Sequence, residues 1–181
     1  MSLGEMRNRR SWRSFRRDCR GVAAVEFSAL SGFLSLAVVN VSDIGIYFYK
    51  RMQVENAALV GAMSALKACD ASHLPATVNC PGLVAAVMAA IQSTSLGAAV
   101  TLNGGTVSEG YYCVNSSNDL QYMSSVASKP ADCSAAGMAA LQPADYLQVS
   151  VTYSYIPVFA GISVAGMFTT PMTKTAMVRM L

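Results

Sequence analysis

Residues 21–49 read GVAAVEFSALSGFLSLAVVNVSDIGIYFY, a long run of mostly apolar residues near the N-terminus. About 20 predominantly apolar residues are enough for a helix to cross the hydrocarbon core of a bilayer, and the stretch is longer than that. It is not uniformly apolar, because it contains Glu26, Asn40 and Asp43 together with several serines. A plain anchor would not need two carboxylates, so the stretch predicts a membrane-spanning helix with a further role.

The predicted helix continues beyond the membrane. From Met52 to Leu66 the chain has no proline, and strong helix formers occupy most positions. Met52, Leu59, Met63 and Leu66 fall on one face of a helix with 3.6 residues per turn. We therefore expect a single helix from Val22 to Leu66, about 68 Å long at 1.5 Å per residue, whose outer half is covered by the domain along one side.

Charge is distributed unevenly along the chain. Residues 1–20 hold seven arginines and two acidic residues, whereas the rest of the chain holds six basic and eight acidic residues. An arginine-rich start occurs in nucleic-acid-binding arms, in mitochondrial presequences and in the cytoplasmic flanks of membrane helices. Because an apolar helix follows directly, the flank is favoured and no nucleic-acid partner is expected. The positive-inside rule then places the N-terminus in the cytoplasm and the remainder on the exported side.

Four of the five cysteines lie on the exported side of this helix. Cys19 belongs to the basic start, whereas Cys69, Cys80, Cys113 and Cys133 follow the helix. An even set on one side of a membrane predicts two disulfides in an oxidising compartment. Three pairings are possible, and the local pairs Cys69–Cys80 and Cys113–Cys133 are favoured because each closes a loop rich in turn residues. Four buried free thiols are the alternative.

Sequence patterns after residue 80 predict one short helix and a small antiparallel sheet. The clearest strand is 147–156, where Leu147, Val149 and Val151 alternate with polar residues. Asn103-Gly104 indicates the turn of a hairpin over residues 100–107. The other expected elements are a helix at 83–91, a possible strand at 111–114, a loop at 115–145 with a short helix at 134–141, an apolar link under the domain at 158–168 and a closing strand at 172–180. The fold class that follows is α+β.

Several short motifs along the N-terminal helix form a recognisable pattern. Residues 21–27, Gly-Val-Ala-Ala-Val-Glu-Phe, follow a run of arginines and place a glutamate five residues after a glycine. Asp43-Ile44-Gly45, then Gln53-Val54-Glu55-Asn56-Ala57-Ala58 and Gly61-Ala62, lie further along the same helix. Over roughly residues 13–66 this pattern resembles the TadE-like minor pseudopilins of the tight-adherence (Tad/Flp, type IVb) pilus system. The C-terminal half resembles them only in its order of strand, apolar proline-containing link and final strand.

The resemblance implies a pilin-like α+β fold in which a long membrane-spanning helix packs on a small antiparallel sheet. Its parts would be a cytoplasmic leader at 1–21, a transmembrane half-helix at 22–49 and an exported domain at 50–181. A prepilin peptidase would cut between Gly21 and Val22. The other implied partners are pilin and pseudopilin subunits, the inner-membrane assembly platform and membrane lipid. The implied function is to initiate or assemble a pilus for surface adhesion, without a cofactor.

Glu26 and Phe27 are the residues expected to set the register between subunits. A carboxylate inside a bilayer costs about 2.5–3.5 kcal/mol at the centre and less near the interface. Glu26 lies one helical turn from the amine that cleavage would create on Val22, so pairing with that amine on a neighbouring subunit would offset the cost. The alternative is an uncleaved anchor whose glutamate extends to the membrane surface.

Asp43 is expected near the exported face of the bilayer, and two interpretations are open. In the first, it contacts a partner helix, or Lys50 or Arg51 of another subunit. In the second, it is an interfacial residue that reaches water.

No pattern in the sequence supports catalysis, a cofactor or a metal. The single histidine, His73, lies between Cys69 and Cys80, but the set lacks a fourth ligand and its spacing matches no common metal site. No histidine adjoins a nucleophile, and there is no glycine-rich phosphate loop. We therefore expect a structural protein. The alternative is an uncleaved, single-pass membrane-anchored periplasmic binding module that recognises its ligand through residues 115–145.

Overall fold

A computed structural model describes residues 20–180, so the predicted leader, apart from its last two residues, lies outside the described part of the chain, as does Cys19. The described residues form an α+β fold in which a long N-terminal helix packs on a five-stranded antiparallel sheet, as the sequence predicts. The helices are α1 (Arg20–Ala68), α2 (Ala76–Asn79) and α3 (Leu83–Gln92). The strands are β1 (Val100–Leu102), β2 (Ser108–Val114), β3 (Leu120–Ser125), β4 (Ala144–Tyr153) and β5 (Met172–Arg179). The sheet, α2, α3 and the part of α1 that packs on them are called the domain below.

β4 is the central strand of the sheet. One edge of β4 pairs with β5 over residues 146–153 and 172–179. The other edge pairs with β2 and then with β1, and β3 pairs with the outer edge of β2. Leu147, Val149 and Val151 are fully buried beneath α1, whereas the residues between them are partly exposed. This confirms the alternation predicted for the strand.

Two expectations for the middle of the chain are wrong. β1 pairs with β4 and not with residues 106–107, so the expected hairpin does not form. Asn103–Gly105 is instead a 3₁₀ turn, in which Gly104 and Gly105 adopt φ of 70° and 72°, and it carries the chain from β1 to β2 along the same edge of β4. The expected loop at 115–145 contains the strand β3, and the short helix expected at 134–141 is reduced to the 3₁₀ turn Ser134–Ala136.

The face of α1 that packs on the sheet is made of small side chains. Its fully or almost fully buried members are Val54, Ala57, Ala58, Ala62 and Ala65. The larger apolar residues of the same part of the helix are exposed, namely Met52, Leu59, Met63 and Leu66. The helical face that the spacing of the larger apolar residues predicts as covered is therefore not the face that packs on the sheet.

A close approach of three elements explains the small residues. A Cβ atom at Gly61 would lie 2.7 Å from Cγ2 of Ile91 in α3 and 3.0 Å from Cγ1 of Val149 in β4. Carbon atoms in van der Waals contact lie about 3.5–4.0 Å apart, so a side chain at this position would collide with both neighbours. Gly61 therefore marks the point where α1, α3 and β4 meet.

Two disulfides tie the helices and the sheet to their connecting segments. Cys69 pairs with Cys80, with Cα atoms 5.8 Å apart, and Cys113 pairs with Cys133, with Cα atoms 5.7 Å apart. These are the local pairings that the sequence favours over the other two connectivities. Because Cys69 and Cys80 bond to each other, they are not available to form a metal site with His73.

Candidate functional site on the N-terminal helix

The first part of α1 extends away from the domain. Residues 21–38 are exposed at almost every position, and contacts with the domain begin at Asn40. An 18-residue window of this helix has a mean hydropathy of 1.9 and is not buried anywhere in the fold. At 1.5 Å per residue, it is about 27 Å long, close to the ~30 Å of a hydrocarbon core. In residues 20–180 the chain thus has one helix that is long and apolar enough to span a membrane.

Residues 21–39 of α1 precede the first contacts with the domain and are called the free segment below. The predicted spanning segment, 22–49, extends beyond the end of this free segment. Its last ten residues, from Asn40 onward, make nearly three turns at 3.6 residues per turn and pack on the domain along one face. The domain therefore begins before the expected boundary at residues 49 and 50.

Two serines of the free segment, and Asn40 at its end, bond to their own helix. Ser28 donates to the carbonyl oxygen of Val25 over 2.9 Å, and Ser31 donates to that of Ser28 over 3.0 Å. Asn40 donates in the same way to Leu36 over 2.8 Å. An unsatisfied polar group costs several kcal/mol in lipid. These bonds therefore make the serine-rich stretch compatible with a bilayer.

The residues expected at the cleavage and register positions all lie in the first two turns of α1. The space around Gly21 is open, because a Cβ atom there would meet nothing within 4 Å. Val22 and Phe27 are exposed by 56% and 73%. Within the described part of the chain, the carboxylate of Glu26 has no hydrogen bond and no ion pair. Glu26 is thus a charged residue in an apolar helix to which the domain gives no partner.

Asp43 is completely buried where α1 meets the β4–β5 loop (residues 154–171). Its carboxylate accepts hydrogen bonds from the N–H groups of Val158 at 2.9 Å and Phe159 at 3.3 Å, and from the hydroxyl of Tyr155 at 3.1 Å. Burial, together with the hydrogen bond to Asp43, raises the pKa of Tyr155 to about 12, so its hydroxyl remains a donor at neutral pH.

This location corrects both interpretations of Asp43. The sequence predicts a partner helix, a cation of another subunit or water beside the carboxylate, whereas its partners belong to its own chain. Tyr155 lies 112 positions further along the sequence. A pattern within the helix could not identify that contact.

Asn40 extends the junction with the β4–β5 loop toward the free segment. Its Oδ1 accepts a hydrogen bond from the N–H group of Val164 at 2.8 Å, and its Nδ2 donates to the carbonyl oxygen of Ile162 at 3.4 Å. Residues three and four apart share one helical face, so Asn40 and Asp43 present their polar groups to the same loop. The sequence marks Asn40 as a polar residue of the apolar stretch but does not indicate its partner in the loop.

Tyr47 extends the same junction in the opposite direction. Its hydroxyl donates to the carbonyl oxygen of Thr169 over 3.3 Å. Its ring centroid lies 5.3 Å from that of Tyr155 and 4.7 Å from that of Phe168. Tyr47 is thus buried in the domain, whereas the neighbouring Phe48 and Tyr49 are exposed.

The outer half of α1 carries an exposed apolar stripe opposite its buried face. The stripe consists of Met52, Leu59, Met63 and Leu66, which are 37–62% exposed. Their spacing keeps them in one line along the helix. Exposed apolar residues in a line along a helix offer a surface for contacts with proteins or membranes. α1 is therefore open to partners along its whole length on the side away from the sheet.

A cluster at the end of α1 contains Asp70, Ser72 and His73, the residue types of a catalytic triad. In a triad, serine and aspartate bind opposite nitrogens of the histidine ring. Here both approach Nδ1, with the Ser72 hydroxyl at 3.1 Å and the Asp70 carboxylate at 2.8 Å. The Asp70 carboxylate also accepts the N–H group of Ser72 at the start of the turn Ala71–His73. This geometry caps the turn and does not activate a nucleophile.

Asp145 is a second buried carboxylate, and it was not singled out in the sequence. It lies at the start of β4, and its Oδ1 atom has no hydrogen-bond partner among the described residues. Burial and then the neighbouring Glu109 raise the pKa of Asp145 to about 6. Asp145 is in phase with the buried residues Leu147, Val149 and Val151. The alternation of the strand could therefore have identified it.

The candidate site thus consists of a glutamate in an exposed apolar helix that has no partner among residues 20–180, and of a buried aspartate that binds the β4–β5 loop to the same helix. Comparisons with protein-family models, with curated proteins and with solved structures give no match for the chain. The function is therefore inferred from the residues and their contacts.

Proposed function

We propose that the chain is a minor pseudopilin that initiates or assembles a Tad-type pilus, and that it is not an enzyme. The observation that carries this proposal is Glu26, which is unpaired among the described residues and lies one helical turn after Val22 in an exposed apolar helix. A carboxylate in a bilayer requires a compensating partner. The amine of a processed Val22 on a neighbouring subunit has the required charge and the required depth.

The exposed apolar stripe supports assembly with other subunits. The small residues of α1 face its own sheet, whereas Met52, Leu59, Met63 and Leu66 face outward. A subunit that assembles through its N-terminal helix needs such a free side along the helix. The stripe is a suitable surface for the helices of other pilin-like subunits.

The junction at Asp43 also supports this role. Three hydrogen bonds from the β4–β5 loop to one buried carboxylate, together with the packing of residues 54–65 on the sheet, hold the domain in a fixed orientation relative to the exposed part of α1. A subunit that is positioned by its helix requires such a connection, because otherwise its domain would not have a defined place in the assembly.

The proposed location follows from the same features. The arginines of residues 1–20 lie on the cytoplasmic side of the bacterial inner membrane, α1 crosses that membrane once and the domain lies in the periplasm. Two disulfides suit that oxidising compartment. The proposed partners are the prepilin peptidase, the assembly platform, other pilus subunits and lipid.

Processing tests the proposal. Intact-mass measurement on protein from the native membrane should give a chain that begins at Val22 and lacks residues 1–21. Gly21→Ile should block cleavage while insertion continues. Gly32→Ile is the matched control, because a side chain at Gly32 also meets nothing within 4 Å, and it should be cleaved normally. A functional protein that begins at Met1 or Ser2 would overturn the assignment.

A second candidate function is an uncleaved, membrane-anchored periplasmic binding module. The observation that favours it is a cavity of about 520 Å³ lined by Tyr111, Lys129, Asp145 and neighbouring residues. The ammonium group of Lys129 lies 5.7 Å from the centre of the Tyr111 ring at this cavity. The same mass measurement separates the two candidates, because a binding module would retain its N-terminus.

A further inference from the structure

We propose that the β4–β5 loop is a lipid-binding element, which lies in the interface of the bilayer at the domain end of the spanning helix. This inference depends on α1 spanning a membrane and goes beyond the assignment to a pilus.

The loop has an apolar and uncharged surface. Ile156, Val158, Ile162 and Met167 are between 58 and 85% exposed. From residue 146 to residue 173 the sequence contains no aspartate, glutamate, lysine, arginine or histidine. Large exposed apolar patches of this kind are uncommon on surfaces that face only water.

The contacts with α1 fix the depth of the loop. Residues 21–39 are about 28 Å long as a helix, which nearly equals the hydrocarbon thickness of a bilayer. Val164 and Ile162 bond to Asn40, the next residue, and therefore lie at the edge of that layer. Lys50 and Arg51, the next charged residues of the helix after the buried Asp43, follow about 15 Å further on. Apart from the buried Asp43, the loop thus lies within a zone at the membrane surface that has no charged side chain.

The backbone of the loop is suited to an environment with little water. Non-helical backbone is tolerated at membrane depth only where its polar groups are bonded within the protein. Asn40 and Asp43 accept the N–H groups of Val158, Phe159 and Val164. Acceptors inside the loop bond the N–H groups of Ile162, Ser163, Ala165, Gly166 and Phe168. The polar residues of α1 therefore allow an irregular segment to contact lipid.

Lipid is the occupant that fits these observations best. The exposed side chains of the loop adjoin a helix segment whose length matches the bilayer, so lipid reaches them as soon as α1 is inserted. Apolar side chains buried at the interface add to membrane binding in proportion to their area. The contact would hold the domain against the membrane surface.

Tryptophan fluorescence in vesicles tests the proposal with the full chain. The single tryptophan is first removed by Trp12→Phe. Met167→Trp then reports on the loop at an 85% exposed position, and Val78→Trp is the control, at a 68% exposed position on α2 beside the far end of α1. The vesicles are phosphatidylcholine with acyl chains brominated near the headgroup, and iodide is the aqueous quencher.

The proposal predicts loss of emission at position 167 with the brominated lipid, together with protection from iodide. The Val78→Trp variant should show the opposite pattern. Emission at position 167 that is quenched by iodide and not by brominated lipid would overturn the proposal. Protection from both quenchers would also overturn it, because a second protein molecule and not lipid would then cover the loop. Neither outcome depends on whether residues 1–21 are removed.

Discussion

The hydroxyl of Tyr155 donates a hydrogen bond to Oδ1 of Asp43 over 3.1 Å, and it also lies 3.1 Å from the backbone carbonyl oxygen of the same residue. The contact connects the end of β4 to the middle of α1. Together with the N–H groups of Val158 and Phe159, it makes Asp43 the main acceptor that binds the β4–β5 loop to α1.

Asp43→Ala should lower the free energy of unfolding by about 3 kcal/mol, because a hydroxyl and two backbone N–H groups lose their buried acceptor. For a chain of this size the melting temperature should fall by roughly 6–12 °C, measured by circular dichroism in detergent micelles. Ser42→Ala is the control, since the Ser42 hydroxyl donates to Val38 in its own helix, and it should have little effect. Equal melting temperatures for the two variants would contradict the role of Asp43.

Gly61→Leu should destabilise the domain by about 2 kcal/mol. Overfilling a packed core costs about 1–3 kcal/mol, and the side chain would collide with Ile91 and Val149. Gly45→Leu is the matched control, because a side chain there meets nothing within 4 Å and gains about 1 kcal/mol of helix propensity. Chemical denaturation of both variants measures the difference. Similar stabilities would show that α1 does not approach the sheet closely at Gly61.

Asp145 should make the domain less stable as the pH rises. Its pKa of about 6 in the folded protein lies above the ordinary value of 3.8, so the folded state holds a proton that the unfolded state releases. This stabilisation is complete below about pH 4 and is lost as the pH rises through about 6. Asp145→Asn should therefore raise the melting temperature at about pH 8 and flatten its pH dependence.

Asp119→Asn is the control for that titration, because Asp119 is exposed. It should leave the pH dependence of the melting temperature unchanged. A wild-type stability that increases between about pH 4 and pH 7, to the same extent in Asp145→Asn, would contradict the assignment to Asp145.

Local sequence patterns predicted the elements that carry a single strong pattern, either a long apolar run or a strict alternation of apolar and polar residues. The apolar helix gave α1 to within two residues at either end, and strict alternation gave the inward face of β4. β3 was not predicted, because Leu120–Ser125 is exposed or only partly buried at every position and therefore has no fully buried face. The turn at Asn103-Gly104 was recognised, but the partner of the preceding strand is β4, which lies far along the chain.

The packing face of α1 was not predictable from periodicity alone. The outer half of the helix has apolar residues on two sides. The sequence pattern favours the side with the larger residues as the packing face. The smaller ones are buried because the sheet approaches to within van der Waals contact of the helix backbone at Gly61. Bulky residues would prevent that approach, and they remain on the outside.

The sequence predicted only those residues of the candidate site whose positions depend on α1 alone. The positions of Gly21, Val22, Glu26 and Phe27 on a free apolar helix follow from residues 21–49. The partners of Asn40 and Asp43 lie in the β4–β5 loop, more than 100 positions away, and no local pattern connects them.

A variant of Glu26 distinguishes a protein that assembles with other subunits from one that is only anchored in the membrane. Glu26→Ala should leave insertion intact, since a carboxylate is removed from lipid, and cleavage after Gly21 should continue. The processed protein should then fail to join other subunits. Glu55→Ala is the control, because the Glu55 carboxylate pairs with Lys174 of its own chain at 3.2 Å and should not affect subunit contacts within the membrane.

The test of pairing between Glu26 and a neighbouring subunit is crosslinking from a photoreactive residue that replaces Leu30, which is 58% exposed and lies one helical turn after Glu26. Wild-type and variant proteins are compared in processed form at equal abundance. Pairing of Glu26 with a Val22 amine predicts that Glu26→Ala reduces crosslinks to other pilus subunits by at least about tenfold, which corresponds to about 1.4 kcal/mol, and that piliation falls. Glu55→Ala should crosslink like the wild type. Undiminished crosslinks and normal pili in Glu26→Ala would show that Glu26 does not pair with the Val22 amine of a neighbouring subunit.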